Sequence, residues 1–199
     1  MDLPDAFKTF NTKLELSTSA IDRIETAAST LRSRLQDSFE LAAGGIFLQG
    51  SYENGTAIAP ADESGEYDVD LVLDKAWDGS PEDVLEELET ALAGYDAYKK
   101  MLEAKDACVC LRYAPEKGVG GFHVDIIPAR PPATDSANSD APLEVPRRGG
   151  DWHGTDPKGF TTWCSDRGEN FARTVKQLKR WRAVHQADHR PSSPSCSRS

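Results

Sequence analysis

No stretch of this chain approaches the roughly 18 to 20 consecutive apolar residues that a bilayer-spanning helix needs. The amino end, MDLPDAFKTFNTKLELS, also lacks a basic start followed by an apolar run. Neither a membrane-embedded protein nor a secretory leader is expected, and a cytoplasmic protein is. Basic residues are in short supply: 23 Lys and Arg stand against 33 Asp and Glu, a net charge of -10. That balance excludes a protein that coats duplex nucleic acid or an anionic membrane through bulk charge, so a phosphate ligand must be met by a local patch or by metal ions. Cysteine is sparse as well. Cys108, Cys110, Cys164 and Cys196 are spaced for neither a zinc knuckle nor a secreted disulfide framework. They read as ordinary reduced thiols, with Cys108 and Cys110 on one face of a strand.

What is present suffices for one catalytic-sized domain with a real core, in 199 residues. In TSAIDRIETAASTLRSRLQDSF, Ile21, Ile24, Ala28, Leu31 and Leu35 recur at steps of three and four behind a choice of N-caps in Ser17, Thr18 and Ser19, which predicts a long amphipathic helix. GGIFLQGSY reads as a short strand ending at Gly50 and Ser51, and a polar connection leads from it to the strand YDVDLVLD. SPEDVLEELETALAGYDAYKKMLEA starts as a helix should: Ser80 caps, Pro81 opens the first turn, and Glu82 and Asp83 complement the helix dipole. ACVCLRYAP and GFHVDIIPA, joined by EKGVGG, predict an antiparallel hairpin. From Pro131 to Asp151 the chain has no periodicity and reads as an exposed loop. ENFARTVKQLKRWRAVHQ follows as a helix with Phe171, Val175, Leu178, Trp181 and Arg182 grouped on one side, before a Pro- and Ser-rich end that reads as disordered.

The chemistry concentrates in EYDVDLVL. On a strand, Asp68 and Asp70 point the same way while Val69, Leu71 and Leu73 point to the core. Two carboxylates that close cannot comfortably both ionise, and the usual relief is a shared proton, a nearby cation or a bound metal. A bare D-x-D is ordinarily a solvated strand edge. This one has company: Asp125 stands among Val124, Ile126 and Ile127, a third acid in a second apolar strand. Three acids on adjacent strands make an oxygen cage suited to hard Mg²⁺ or Mn²⁺ ions. Upstream, the Gly50-Ser51 pair adds backbone approach and a hydroxyl donor suited to phosphate. His123 shares the face of Asp125 and reads as a packed, hydrogen-bonded histidine. Tyr52, Trp152 and Trp163 are the aromatics able to stack on a base, Trp163 reading more as core and Trp152 as the better platform. On the last helix, Lys179 lies at the border of the apolar face, and Arg173, Lys176 and Arg180 lie opposite it. A solvated basic face with Lys179 as rim packing stays open beside a site role.

QGSYENGTAI, EYDVDLVL and FHVDIIPA, in that order, resemble the G-S, D-x-D, D signature of polymerase-β-like nucleotidyltransferases. More narrowly they are similar to the CD-NTase family, the cGAS/DncV-like oligonucleotide cyclases of bacterial anti-phage systems. The interval from Ser51 to Asp68 is longer than the generic signature, but GSYxxGTAI and YDVDLVL read like that family in particular. DPKGFTTW and VKQLKRWR fit its downstream pattern too.

The resemblance implies an α+β fold: a small mixed or antiparallel sheet flanked by helices, a long N-terminal helix and an incomplete C-terminal helical lobe. The expected division is a helical segment over 1–40, a catalytic core over 41–130, a loop over 131–151, the start of the helical lobe over 152–187 and a tail over 188–199. It also implies that Asp68 and Asp70 hold two Mg²⁺ (or Mn²⁺) ions on a triphosphate and that Asp125 binds the ion activating a ribose hydroxyl. Gln49, Gly50 and Ser51 become nucleotide-binding, the latter two at the β- and γ-phosphates, and Lys179 contacts the triphosphate. Partners implied are NTP substrates and a regulatory protein. The chain departs from the family after the last helix, at HQADHRPSSPSCSRS, which predicts apolar surface left exposed over 169–186. Two other readings stand beside the cyclase: transfer of a nucleotide to a protein or tRNA, and an inactive remnant that only binds nucleotide.

Overall fold

The computed structural model describes residues 3–61, 65–116, 119–133 and 141–185. The expected tail over 188–199, Cys196 and residues 134–140 of the expected loop lie outside them. The first two helices are α1 (Leu3–Thr12) and α2 (Thr18–Phe39), and α2 has the expected bounds. Ser17 caps it by accepting a hydrogen bond from the Ala20 amide, and the stripe Ala20, Ile24, Leu31, Leu35 is buried.

The main sheet has five strands in the order β1-β2-β5-β4-β3. They are β1 (Ile46–Gln49), β2 (Tyr67–Asp74), β3 (Leu102–Ala104), β4 (Val109–Tyr113) and β5 (Phe122–Ala129). β2 and β5 run parallel and the other pairs are antiparallel, so the sheet is mixed and the expected β4–β5 hairpin forms. The pleat divides it cleanly. Tyr67, Val69, Leu71 and Leu73 of β2, with Phe122, Val124 and Ile126 of β5, share one buried cluster with α2. The helix α4 (Pro81–Ala93) adds Val84, Leu88 and Leu92 to that cluster. Asp68, Asp70, His123 and Asp125 are left on the other face.

Three expectations change here. α4 has the full capping box between Ser80 and Asp83 but ends at Ala93, with Gly94 as its C-cap. Leu102–Ala104, read as helix from its propensity, pairs instead with β4, because closing the sheet edge satisfies its backbone. The segment read as open loop also carries a strand, β6 (Leu143–Val145), which pairs with β7 (His153–Thr155). Glu144 is 1% exposed, receives Arg130 Nε at 3.1 Å and exchanges two backbone hydrogen bonds with Arg130. Glu144→Ala strands that guanidinium and is expected to lower stability by about 3 kcal/mol in urea unfolding.

The remaining helices are α3 (Gly50–Glu53), α5 (Pro157–Ser165) and α6 (Gly168–His185), and the third change concerns the basic face of α6. The basic side of α6, not its apolar side, faces the protein. Lys179 Nζ donates to the Thr56 carbonyl at 3.0 Å, Arg180 Nη2 to that of Ala59 at 2.6 Å, and Lys176 Nζ reaches Glu15 at 2.6 Å. The carbonyls of Thr56 and Ala59, in the connection after α3, take these cations as donors. Leu178, Trp181 and Val184 are consequently 59%, 60% and 56% exposed, which agrees with the expected bare apolar surface. No described helix is long and apolar enough to cross a membrane.

Candidate active site

Strand register builds the site. One row of Cα partners runs Gln49, Asp70, Asp125, Cys110, Glu103 across all five strands. Two residues along, a second row runs Asp68, His123, Arg112. The parallel pairing of β2 with β5 therefore brings the third acid directly beside the first two. At the end of β1 the chain turns sharply through Gly50, whose φ is +71°. A Cβ there would lie 2.0 Å from Asp70 Oδ2, so only glycine lets the backbone ride over that carboxylate.

Two of the three acids have a cationic partner. Asp68 accepts from His123 Nε2 at 2.9 Å, and this hydrogen bond, with the attraction of nearby charges, holds its pKa below the ordinary range. The same bond pushes the His123 pKa up. Asp125 is gripped by Lys105 Nζ, which lies 2.7 Å from Oδ1 and 2.9 Å from Oδ2. Burial opposes the Lys105 charge, but the Asp125 bond and field outweigh it and keep its pKa high. Among the described residues, Asp70 has no such partner. Burial first, then repulsion from Asp125 and Asp68, pushes it up to about 6.

The sign for stability follows directly. A carboxyl that ionises harder when folded costs stability as pH climbs from its ordinary 3.8 through about 6. Asp70→Asn cannot ionise. It is expected to match wild type near pH 4 and to exceed it by about 2 kcal/mol near pH 7.5, measured by metal-free denaturation at both pH values.

Lys179 sits half-buried, and burial, then the Arg182 charge, lowers its pKa against the opposing pull of Asp68 and Asp70. The structure thus brings Gln49, Gly50, Asp68, Asp70 and Asp125 together, with Ser51 next in α3 beside them and Lys179 within the electrostatic reach of the acids. The aromatics differ from expectation. Trp152 lies partly buried against the core with the Arg130 guanidinium 3.8 Å from its ring centre, so it is no open platform. Trp163, read as core, is 44% exposed.

Sequence reasoning missed Lys105, which has no motif and stands just beyond a stretch that reads as helix. It read Cys108 and Cys110 as ordinary reduced thiols, as they are, and gave them no place beside the acids. Cys108 and Cys110 are buried, and burial, then Asp125, pushes both up to about 12. The hairpin register, which alone sets Cys110 opposite Asp125, was the missing signal. Cys110, His123 and Asp125 each offer a ligand atom within 4.8 Å of the others.

A mixed sheet of this order, two acids on one strand and a third on its parallel neighbour, under a glycine turn, has the polymerase-β-like nucleotidyltransferase fold. The fold is shared with solved structures. A Bradyrhizobium diazoefficiens CD-NTase, CdnG, in complex with GTP has TM-score 0.61 and 21% identity, covering 94% of this chain and 54% of that one. Vibrio cholerae DncV, a cyclic AMP-GMP synthase and prokaryotic cGAS homolog, has TM-score 0.67 and 16% identity, covering 92% of this chain and 71% of that one.

The family model for the Second Messenger Oligonucleotide or Dinucleotide Synthetase domain, SMODS, matches residues 1–168, and the chain belongs to that family, as the CD-NTase resemblance implied. A c-di-GMP synthase of Roseivirga ehrenbergii is 27% identical over 172 residues, 82% of this chain and 43% of its own. A cyclic GMP-AMP synthase of Escherichia albertii is 26% identical over 165 residues, 76% of this chain and 34% of its own. The chain spans less than half the length of these curated relatives.

Proposed function

We propose that this chain carries the catalytic centre of a cytoplasmic nucleotidyltransferase that joins NTPs into cyclic or linear di- or oligonucleotide signals in anti-phage defence. The observation that carries the reading is Asp70, held beside Asp125 by strand register and pushed up to about 6 by burial and by repulsion from Asp125 and Asp68. The names of its relatives, synthases of c-di-GMP and cyclic GMP-AMP, support the same product class.

The donor set fits Mg²⁺ or Mn²⁺: three carboxylates, one of them unneutralised, and a glycine cradle against Asp70 that a Cβ would fill. Asp68, Asp70 and Asp125 would hold two such ions, which supply positive charge at the attacking and leaving oxygens. That charge also reconciles an acidic chain with a polyanionic substrate. In the reaction a ribose 3′- or 2′-hydroxyl attacks an α-phosphate in line and pyrophosphate leaves. Gln49, Gly50 and Ser51 position the donor's phosphates, Lys179 adds charge toward them, and His123 fixes the Asp68 carboxylate. Lys105 is the resting counter-ion of Asp125, the charge that a bound metal would replace. Lys105→Ala is therefore expected to melt lower than wild type without metal and to show a larger rise in melting temperature on Mg²⁺ addition, read by thermal shift.

The test of the function is incubation of the chain with Mg²⁺ and α-labelled NTPs and no acceptor. Pyrophosphate release with a phosphatase-resistant labelled nucleotide product supports the cyclase. Label transferred only to an added protein or tRNA supports the antitoxin-like reading. NTP binding with no pyrophosphate at any metal tested supports the inactive remnant.

A further inference from the structure

We propose that Cys110, His123 and Asp125 form a site for a thiophilic divalent ion of the zinc class, which overlaps the hard-cation site at Asp125 and shuts it. The binding stands on the geometry alone, and the shutting rests on the catalytic reading above.

The three side chains come from adjacent antiparallel strands and project from one sheet face. Cys110 is the register partner of Asp125, and His123 is two residues from it. Their ligand atoms already lie within 4.8 Å of one another. Tetrahedral zinc holds sulfur at about 2.3 Å and nitrogen at about 2.0 Å, so its ligands stand roughly 3.3 to 3.8 Å apart, a gap that small side-chain rotations close. The donors are sulfur, nitrogen and oxygen. Thiolate and imidazole select zinc-class ions, whereas Mg²⁺ takes oxygen, so the neighbouring Asp68 and Asp70 and this trio sort two kinds of ion.

The surroundings support the assignment. His123 donates from Nε2 to Asp68 Oδ1 at 2.9 Å, the outer-shell carboxylate contact that holds a metal-binding imidazole in place. Its Nδ1 is buried with no hydrogen-bond partner, Glu66 Oε2 standing 3.5 Å away. Lys105 occupies Asp125 in the resting protein, and its side chain is 29% exposed, so it can swing to solvent. The exchange is balanced. One Zn²⁺ enters, the Cys110 thiol releases its proton to water and forms the sulfur–zinc bond, and Lys105 leaves. Zinc with one thiolate and one carboxylate is neutral, as the Lys105–Asp125 pair was. With Asp125 in the zinc shell, Asp70 loses the carboxylate with which it would hold a hard cation.

Titration of the reduced, metal-free chain with Co²⁺ tests the site. A thiolate-to-cobalt charge-transfer band at one equivalent, retained in excess Mg²⁺ with cobalt affinity lowered because the two ions share Asp125, and bleached by Zn²⁺, is expected. Cys110→Ser and Cys110→Ala lose the band and bind zinc at least about tenfold more weakly in chelator competition, while Cys164→Ser keeps both properties. Absence of the band in the wild type, or unchanged zinc affinity in either Cys110 variant, overturns the proposal. If both Cys110 variants fail to fold, the wild-type spectrum and loss of the band in His123→Gln decide it. In the functional arm, zinc halts pyrophosphate release by the wild type, a chelator restores it, and Cys110→Ala resists. Zinc inhibition equal in wild type and Cys110→Ala overturns the shutting step. A chain that binds cobalt through Cys110 but releases no pyrophosphate under any condition fails the catalytic reading and leaves the metal site standing.

Discussion

Replacing Asp68 and Asp70 together by Asn is expected to cut pyrophosphate release by about 10³-fold or more while the far-UV circular dichroism stays that of the wild type. The loss follows because charge on the attacking and leaving oxygens has to be met by cations, and two of the three carboxylates that recruit them become neutral amides. The fold survives because neither side chain is in the core: both lie on the open face of β2, opposite Val69 and Leu71. The metal-free variant is expected to melt no lower than the wild type near pH 7.5. Asn removes the cost of ionising Asp70 beside Asp125, while the bond lost at exposed Asp68 is screened by water. The same variant should show no rise in melting temperature with Mg²⁺. Full activity in it would remove the two-carboxylate mechanism.

Gly50→Ala is the second large effect. The added Cβ meets Asp70 Oδ2 at 2.0 Å and Cγ at 2.8 Å, and φ at this position is +71°, where a side chain costs about 1 kcal/mol of strain. Asp70 has to rotate out of its row or the β1–α3 turn has to lift. Either movement separates the acids from the phosphate cradle. Activity is expected to fall by about 10²-fold or more, with the Mg²⁺-induced thermal shift lost as well. Gly55→Ala is the control. Its φ is +63°, but nothing lies within 4 Å of the added Cβ, so it carries the strain without the collision. It should lose about 1 kcal/mol of stability and keep its activity. Equal damage from both substitutions would assign the Gly50 effect to strain and not to contact with Asp70.

Much of this molecule was legible before folding. The three- and four-residue steps of Ile24, Ala28, Leu31 and Leu35 can bury only as a helix, and α2 has the expected bounds. The alternation in YDVDLVL places Asp68 and Asp70 on one face whatever the strand pairs with. The Ser80 box starts α4 because its hydrogen bonds are local. Where a helix stops or how it faces was less legible. LEA has helical propensity yet becomes β3, since the sheet edge offers its backbone partners that no neighbour in sequence reveals. α6 turns its cations inward because the carbonyls of Thr56 and Ala59, more than a hundred residues upstream, need donors.

Sequence alone settled which acids the chain has, that two share a strand face and that a third lies in another apolar strand, because side-chain alternation is a property of the backbone. Only the tertiary structure decided that Asp125 stands beside Asp70, that Lys105 neutralises it, that His123 holds Asp68, and that Cys110 completes the row. Those four facts depend on the register of strands far apart in the chain, and register is chosen by burial of the opposite face, not by the residues it brings together.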